Sequence, residues 1–299
     1  MIKSYANANE RLSAHFRAGE FKCKCCGKIR VDSTLIGFLE QLYAALNCSK
    51  IIVSSGYRCT RHDRAVGGSG AGRHTMGMAA DICCYGQDGK PIGSKYVACA
   101  AEDLGIRMYA SRGSMDLSKK DGGLPPDSVV QTIDEIMKDS VRLIEKYHDP
   151  SKGSMRQITL APCSPFSVSG ELLRESAALA RQYGVRLHTH LCETKDEESY
   201  TLERYGMRPY AYMESLGWTG PDVWYAHGIH FNSDELKALA DTGTGVAHCP
   251  ISNMKLSSGI ARIPEMLKLG VTVGLGVDGS ASNDGSSLLE EMRVAYLLH

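Results

Sequence analysis

The chain has 299 residues, 43% of them apolar and 23% charged, enough to bury one large core or two modest ones. Lysine plus arginine equals aspartate plus glutamate, 34 against 34, which argues against a nucleic-acid or anionic-membrane partner and for a small substrate. The opening MIKSYANANERLSAHF lacks the apolar core of a secretory signal, and no stretch approaches the roughly 18 apolar residues of a membrane span, so a cytoplasmic protein is expected.

Eight of the eleven cysteines fall within the first 106 residues. The first of them lie in CKCCGK, a Cys-x-x-Cys-Gly knuckle from Cys23 to Cys26 with Cys25 inside it. A structural zinc site needs a second ligand pair and no second Cys-x-x-Cys exists, so these thiols read as buried or idle in a reducing compartment. VDSTLIGFLEQLYAALN predicts an amphipathic helix, because Leu35, Phe38, Leu39, Leu42 and Leu46 recur at helical spacing behind an Asp32/Ser33 cap. KIIVSSGYR reads as a short strand ending in a glycine turn. The glycine-rich AVGGSGAGRHTMGMAADI then leads to His74 and Asp81, seven positions apart, a spacing that lets an imidazole and a carboxylate face one cation. Tyr96 to Leu104 predicts another helix, which completes a compact α+β unit.

From about Ile106 the rhythm becomes strand, loop, helix. IRMYASRG, RQITLAPCSPFS, VRLHTHLCET, DVWYAHGIHF, GTGVAHCPIS and VTVGLGVDGS read as strands. Between them GELLRESAALARQYG, PYAYMESLG, SDELKALADTG and RIPEMLKLG read as helices that close on glycine. Such alternation builds a parallel sheet with ionisable residues at the strand C-terminal ends, as in a (β/α) barrel. Six strands are predicted where a full barrel has eight.

Period two in VRLHTHLCET sends His188 and His190 to one face and Val185, Leu187 and Leu191 to the other, with Glu193 just past the strand end. His190 then suits a metal and Glu193 proton transfer; a pair of core histidines is the alternative. YAHGIHF offers His227 and His230, and VAHCPISN offers His248, each alone as compatible with a packed imidazole as with a ligand. GLGVDGSASND ends an apolar strand on Asp278, placed to bind a metal and take a proton from bound water, or simply to make a turn. Their order along successive strands favours the catalytic reading.

That order, with the wording SRGSM, GGLPPDSVVQ, HTHLCET, HCPISNMKLSSG and GVDGSASND, resembles the zinc amidohydrolase superfamily from about residue 106 to 299, within it the aminohydrolases of 8-oxoguanine and triazines. The resemblance implies a zinc-dependent deaminase of a purine-like or triazine heterocycle, most like 8-oxoguanine deaminase. It makes His190 the fifth-strand metal ligand and Asp278 the eighth-strand ligand and base. Glu193 becomes the proton shuttle to the ring, and His227 the group that orients the attacking hydroxide. The family's first-strand His-x-His has no counterpart before Arg107, and His62 and His74 do not fit that role. Without that His-x-His activity is expected to be impaired, and because the chain stops at His299, in the helix after the last strand, the family's small β-sandwich is expected to be missing.

SGYRCTRHDRAVGGSGAGRHTMGMAADI instead resembles the zinc D,D-carboxypeptidase family that trims D-alanyl wall peptides, over residues from about 9 to 106. This implies Arg58 as the arginine that steadies the substrate and His74 and Asp81 as two zinc ligands. A third, later histidine is absent from MYASRGSMDLSKKDGG. The expectation is therefore a partial TIM-type barrel over 107–299 preceded by an incomplete peptidase-like unit over 1–106, the change falling near LGIR. The alternatives are a wall-peptide hydrolase or binding module and a chimera without function.

Overall fold

A computed structural model describes residues 1–65, 73–87, 89, 107–279, 282–283, 285 and 287–299. The helix expected at Tyr96 to Leu104 lies outside them. The chain divides into two compact units, Met1–Leu104 with Ser280–Gly285, and Gly105–Gly279 with Ser286–His299.

In the first unit β1 (Ile2–Tyr5) pairs antiparallel with β2 (Ile29–Asp32), which runs straight into α1 (Ser33–Ala45). The turn between them is made by Asp32, whose carboxylate accepts the Thr34 amide at 2.8 Å and so satisfies an orphan donor of the first helical turn. Helix α1 buries Ile36 and Leu39, whereas Phe38 is 59% exposed. The expected stripe that included Phe38 is thus corrected. Positions 36 and 38 lie about 160° apart around the axis, and the face against Phe16, Phe21, Ile29 and Val31 is centred on the Ile36 side. Two further strands, β3 (Lys50–Ser55) and β4 (Asp81–Tyr85), pair antiparallel, and the short helices α2 (Thr60–Ala65) and α3 (Arg73–Met76) lie between them in the chain.

The second unit is a six-stranded parallel sheet in which spatial order follows chain order: β5 (Met108–Ser114), β6 (Arg156–Pro162), β7 (Arg186–Leu191), β8 (Val223–His227), β9 (Gly245–His248) and β10 (Val273–Leu275). It is the sheet of a partial TIM-type barrel, with the strand count read from the sequence. Helix α4 (Ile133–Tyr147) follows β5 and is not in the sequence reading, although its capping box is legible: Thr132 Oγ1 accepts the Glu135 amide and the Glu135 carboxylate reaches back to the Thr132 amide at 3.0 Å. Next come α5 (Gly170–Tyr183), α6 (Lys195–Tyr205), α7 (Pro209–Ser215), α8 (Ser233–Thr242), α9 (Pro250–Lys255), α10 (Ile263–Leu269) and α11 (Leu288–Leu298). Helix α5 closes on Gly184, whose φ of 66° is the left-handed conformation that ends a helix without a Cβ clash. Leu172, Leu173, Leu187, Leu191, Trp218, Tyr225 and Leu236 form the core between sheet and helices. No helix among the described residues is long and apolar enough to cross a membrane.

Candidate active site

The alternation in β7 buries Leu187, Thr189 and Leu191 and turns His188 and His190 the other way, as their spacing requires. The two imidazoles then differ. His188 stacks on Trp224, with centroids 4.9 Å apart and planes at 18°, and burial pushes its pKa down to about 4. It is the packed histidine of the pair. His190 sets Nδ1 2.6 Å from the Cys163 carbonyl oxygen and lies 5.4 Å from the His227 ring, nearly parallel to it. Burial opposes its charge, but the Cys163 thiol and carbonyl, with Glu193, lift its pKa to about 9.

Beyond the strand ends the backbone itself is unusual. Cys192 (φ 53°), His227 (φ 72°) and Asp278 (φ 59°) all adopt the left-handed region that non-glycine residues seldom occupy. They follow or end β7, β8 and β10, and strain of this kind collects where a side chain has a task. At the first of these turns the buried Glu197 carboxylate accepts the amides of Cys192 (2.8 Å) and Glu193 (3.2 Å). Glu193 is thereby held with one carboxylate oxygen 3.6 Å from His227 Nε2 and the other 3.4 Å from Ser258 Oγ. His227 is buried, and its Nδ1 meets Asn253 Oδ1 at 2.9 Å, which leaves Nε2 as the nitrogen that faces Glu193. Asn253 Nδ2 is buried without a partner. Asp278 accepts Ser252 Oγ at 2.6 Å and the Gly279 amide at 2.7 Å. Burial raises its pKa, but these bonds and the charges of His227 and His190 outweigh that and hold it below the usual carboxylate value.

Four residues singled out in the sequence thus act on one another: His190, Glu193, His227 and Asp278. His230 is instead held at Nε2 by the Ser258 carbonyl at 3.0 Å, and His248 sits 3.2 Å from His299 with its pKa lowered to about 4 by burial. Sequence reading missed Cys163, Glu197, Ser252 and Asn253, which position the others. Ser252 and Asn253 lie in HCPISNMKLSSG, one of the stretches that carry the family resemblance, just after Pro250 opens α9.

Whether this set suits a zinc ion can be read from its donors. Among the described residues, no three of the donors on His190, Glu193, His227 and Asp278 lie within 4.8 Å of one another, while the contact of His190 Nδ1 with the Cys163 carbonyl leaves Nε2 as the nitrogen available to a metal. As arranged, the described barrel residues do not present a closed ligand set for zinc.

In the first unit Arg58 donates from Nε to Ser55 Oγ at 2.9 Å and pairs with the buried Asp63 at 3.6 Å. His74 sets Nδ1 2.7 Å from the Gly56 carbonyl, and its own carbonyl accepts the Arg58 amide at 3.1 Å. Arg58 and His74 are thus neighbours through the Gly56 turn. The Asp81 side chain lies outside the described residues, and with it the expected His74–Asp81 pair. Close by, Cys23 lies among amide donors from Cys25, Cys26 and Cys59. Burial raises its pKa, but these amides and the His62 ring bring it down to about 6.

The profile of the amidohydrolase family matches residues 77–299, more than half of the chain. The chain belongs to the amidohydrolase family. A second profile, Peptidase M15, matches residues 14–112. The 8-oxoguanine deaminase of Pseudomonas aeruginosa is 53% identical over 201 residues, 67% of this chain and 45% of that protein. The hydroxydechloroatrazine ethylaminohydrolase of Pseudomonas sp. strain ADP is 44% identical over 199 residues, 67% and 41% of the two chains. Among solved structures, an atrazine chlorohydrolase from Arthrobacter aurescens TC1 complexed with zinc aligns with a TM-score of 0.65 at 39% identity, over 68% of this chain and 45% of that one. Zinc is accordingly the cofactor expected of this amidohydrolase. The chain spans less than half the length of the curated relatives it matches.

Proposed function

We propose that the barrel unit takes a purine-like or triazine ring at the C-terminal ends of its strands and carries the proton-handling half of an aminohydrolase site. The reading is carried by one observation: Glu193 faces Nε2 of a His227 whose other nitrogen is fixed by Asn253. A carboxylate so placed can move a proton between a bound nucleophile and a ring nitrogen, while Asp278, held ionised by Ser252 and Gly279, accepts the second proton. The relatives that deaminate 8-oxoguanine and act on triazine derivatives support the substrate class. With His190 and Asp278 as its zinc donors, the site holds the metal weakly and the chain binds heterocycles better than it turns them over. Calorimetric titration with 8-oxoguanine, guanine and a triazine, paired with ammonia release at one zinc per chain, tests this. Binding with little or no ammonia is expected; rapid ammonia release abolished by His190→Ala would overturn the impaired-site reading.

A second reading is favoured by the peptidase match over residues 14–112 and by the Arg58, Gly56 and His74 contacts. In it the first unit binds D-alanyl wall peptides through Arg58, with His74 and Asp81 as zinc ligands. Saturable binding of D-alanyl-D-alanine peptide that Arg58→Ala abolishes is expected, and equal binding by the variant would sink it.

A further inference from the structure

Three cysteines of the first unit converge although no second Cys-x-x-Cys exists. Cys23, Cys26 and Cys59 set their sulfurs within 4.8 Å of one another. His62 joins them, with Nδ1 3.5 Å from Cys23 Sγ. In sequence the set is Cys-x-x-Cys followed by Cys-x-x-His, and the second pair reads CTRH, Cys59 to His62. We infer that Cys23, Cys26, Cys59 and His62 form a structural zinc site, distinct from any site in the barrel.

The geometry suits that ion. Zinc–sulfur bonds of about 2.3 Å and zinc–nitrogen bonds of about 2.0–2.1 Å at tetrahedral angles give a sulfur–nitrogen edge of about 3.5 Å and sulfur–sulfur edges of about 3.8 Å. The Cys23–His62 separation already equals the first, and the sulfur spread needs only a small contraction to reach the second. The loop is built as a knuckle: Gly27, at φ 71°, donates to the Cys23 carbonyl at 3.0 Å, and the Cys23 amide donates to Lys28 at 2.9 Å. The Cys59 amide donates to Cys23 Sγ at 3.3 Å, so the sulfur keeps an outer hydrogen bond of the kind that orients metal ligands. Cys25, the remaining thiol of the knuckle, borders Cys59 but lies outside that trio and accepts from Arg61, whose Nε is at 3.3 Å and Nη2 at 3.0 Å. The ion would tie the loop after Phe21 to the start of α2, next to Arg58.

Cobalt(II) titration of the full reduced chain distinguishes this site from nitrogen- and oxygen-donor sites, because only thiolate ligands give a near-ultraviolet charge-transfer band. The band should rise to one equivalent, vanish on zinc addition, weaken in Cys23→Ser, Cys26→Ser, Cys59→Ser and His62→Ala, and persist in Cys25→Ser and Cys163→Ala. In the unmodified chain, zinc should protect Cys23, Cys26 and Cys59 from alkylation mapped by mass spectrometry while Cys25 still reacts. A cobalt-loaded chain without the band, a band that disappears in Cys163→Ala, or alkylation indifferent to zinc overturns the assignment.

Discussion

At the scale of single residues the site depends on groups that never touch a substrate. Asn253 is one: it fixes the buried His227 through Nδ1, and Asn253→Ala leaves that nitrogen unpaired in a dry environment. A loss of about 1–3 kcal/mol in the unfolding free energy of the barrel unit, read from its denaturant melt, is expected, since an orphaned buried donor costs its full desolvation. Glu197 is another. Burial raises its pKa from 4.5 to about 7, against the pull of the Cys192 and Glu193 amides, so the folded state holds its proton over a window where the unfolded chain has released it. The folded form binds more protons there, and stability therefore falls as pH rises from about 4.5 to about 7 and levels off above it. Urea melts across that window should show the slope, and Glu197→Gln should flatten it. His190, Glu193, His227 and Asp278 were legible in the sequence because they are ionisable and sit where apolar strands end. Asn253 and Glu197 were not: one is a neutral amide whose partner is 26 positions away, and the other looks like any charge in an acidic first helical turn.

Among the elements, the parallel strands were legible because each is a short apolar run followed by polar residues and then a glycine-closed helix. The helix Ile133–Tyr147 was less legible, because the irregular GGLPPDSVVQ runs up to the residue before its cap at Thr132. Its start rests on the reciprocal Thr132–Glu135 bonds, so Thr132→Ala should lower the stability of the barrel unit by about 1 kcal/mol in chemical denaturation, an effect Thr132→Ser should largely avoid. Phe38 shows the opposite failure. Its apolar character pointed inward, but helical phase set the buried face around Ile36 and Leu39, and hydrophobicity without phase does not locate a core.

For the molecule as a whole, each hydrophobic core is drawn from its own stretch of chain, one from Phe16 to Ile51 and the other from Ala110 to Val271. Unfolding is therefore expected in two steps rather than one. In scanning calorimetry Leu39→Ala should shift only one transition and Leu173→Ala only the other, each by the equivalent of about 2–5 kcal/mol. A single concerted transition moved by both variants would contradict that. The change of rhythm near Ile106 announced the second core; in the first unit the Cys-x-x-Cys and Cys-x-x-His pairs stand in the sequence, but only the fold shows that Cys26 and Cys59 meet. The left-handed backbone at Cys192, His227 and Asp278 has a consequence for how such a chain evolves. Glycine would adopt those angles without strain, so drift toward stability alone would erode the imidazole and carboxylate that line the strand ends. A laboratory search for heat-resistant variants of this barrel should therefore reach glycine first at the exposed Asp278, and last at the buried His227, whose loss would orphan Asn253.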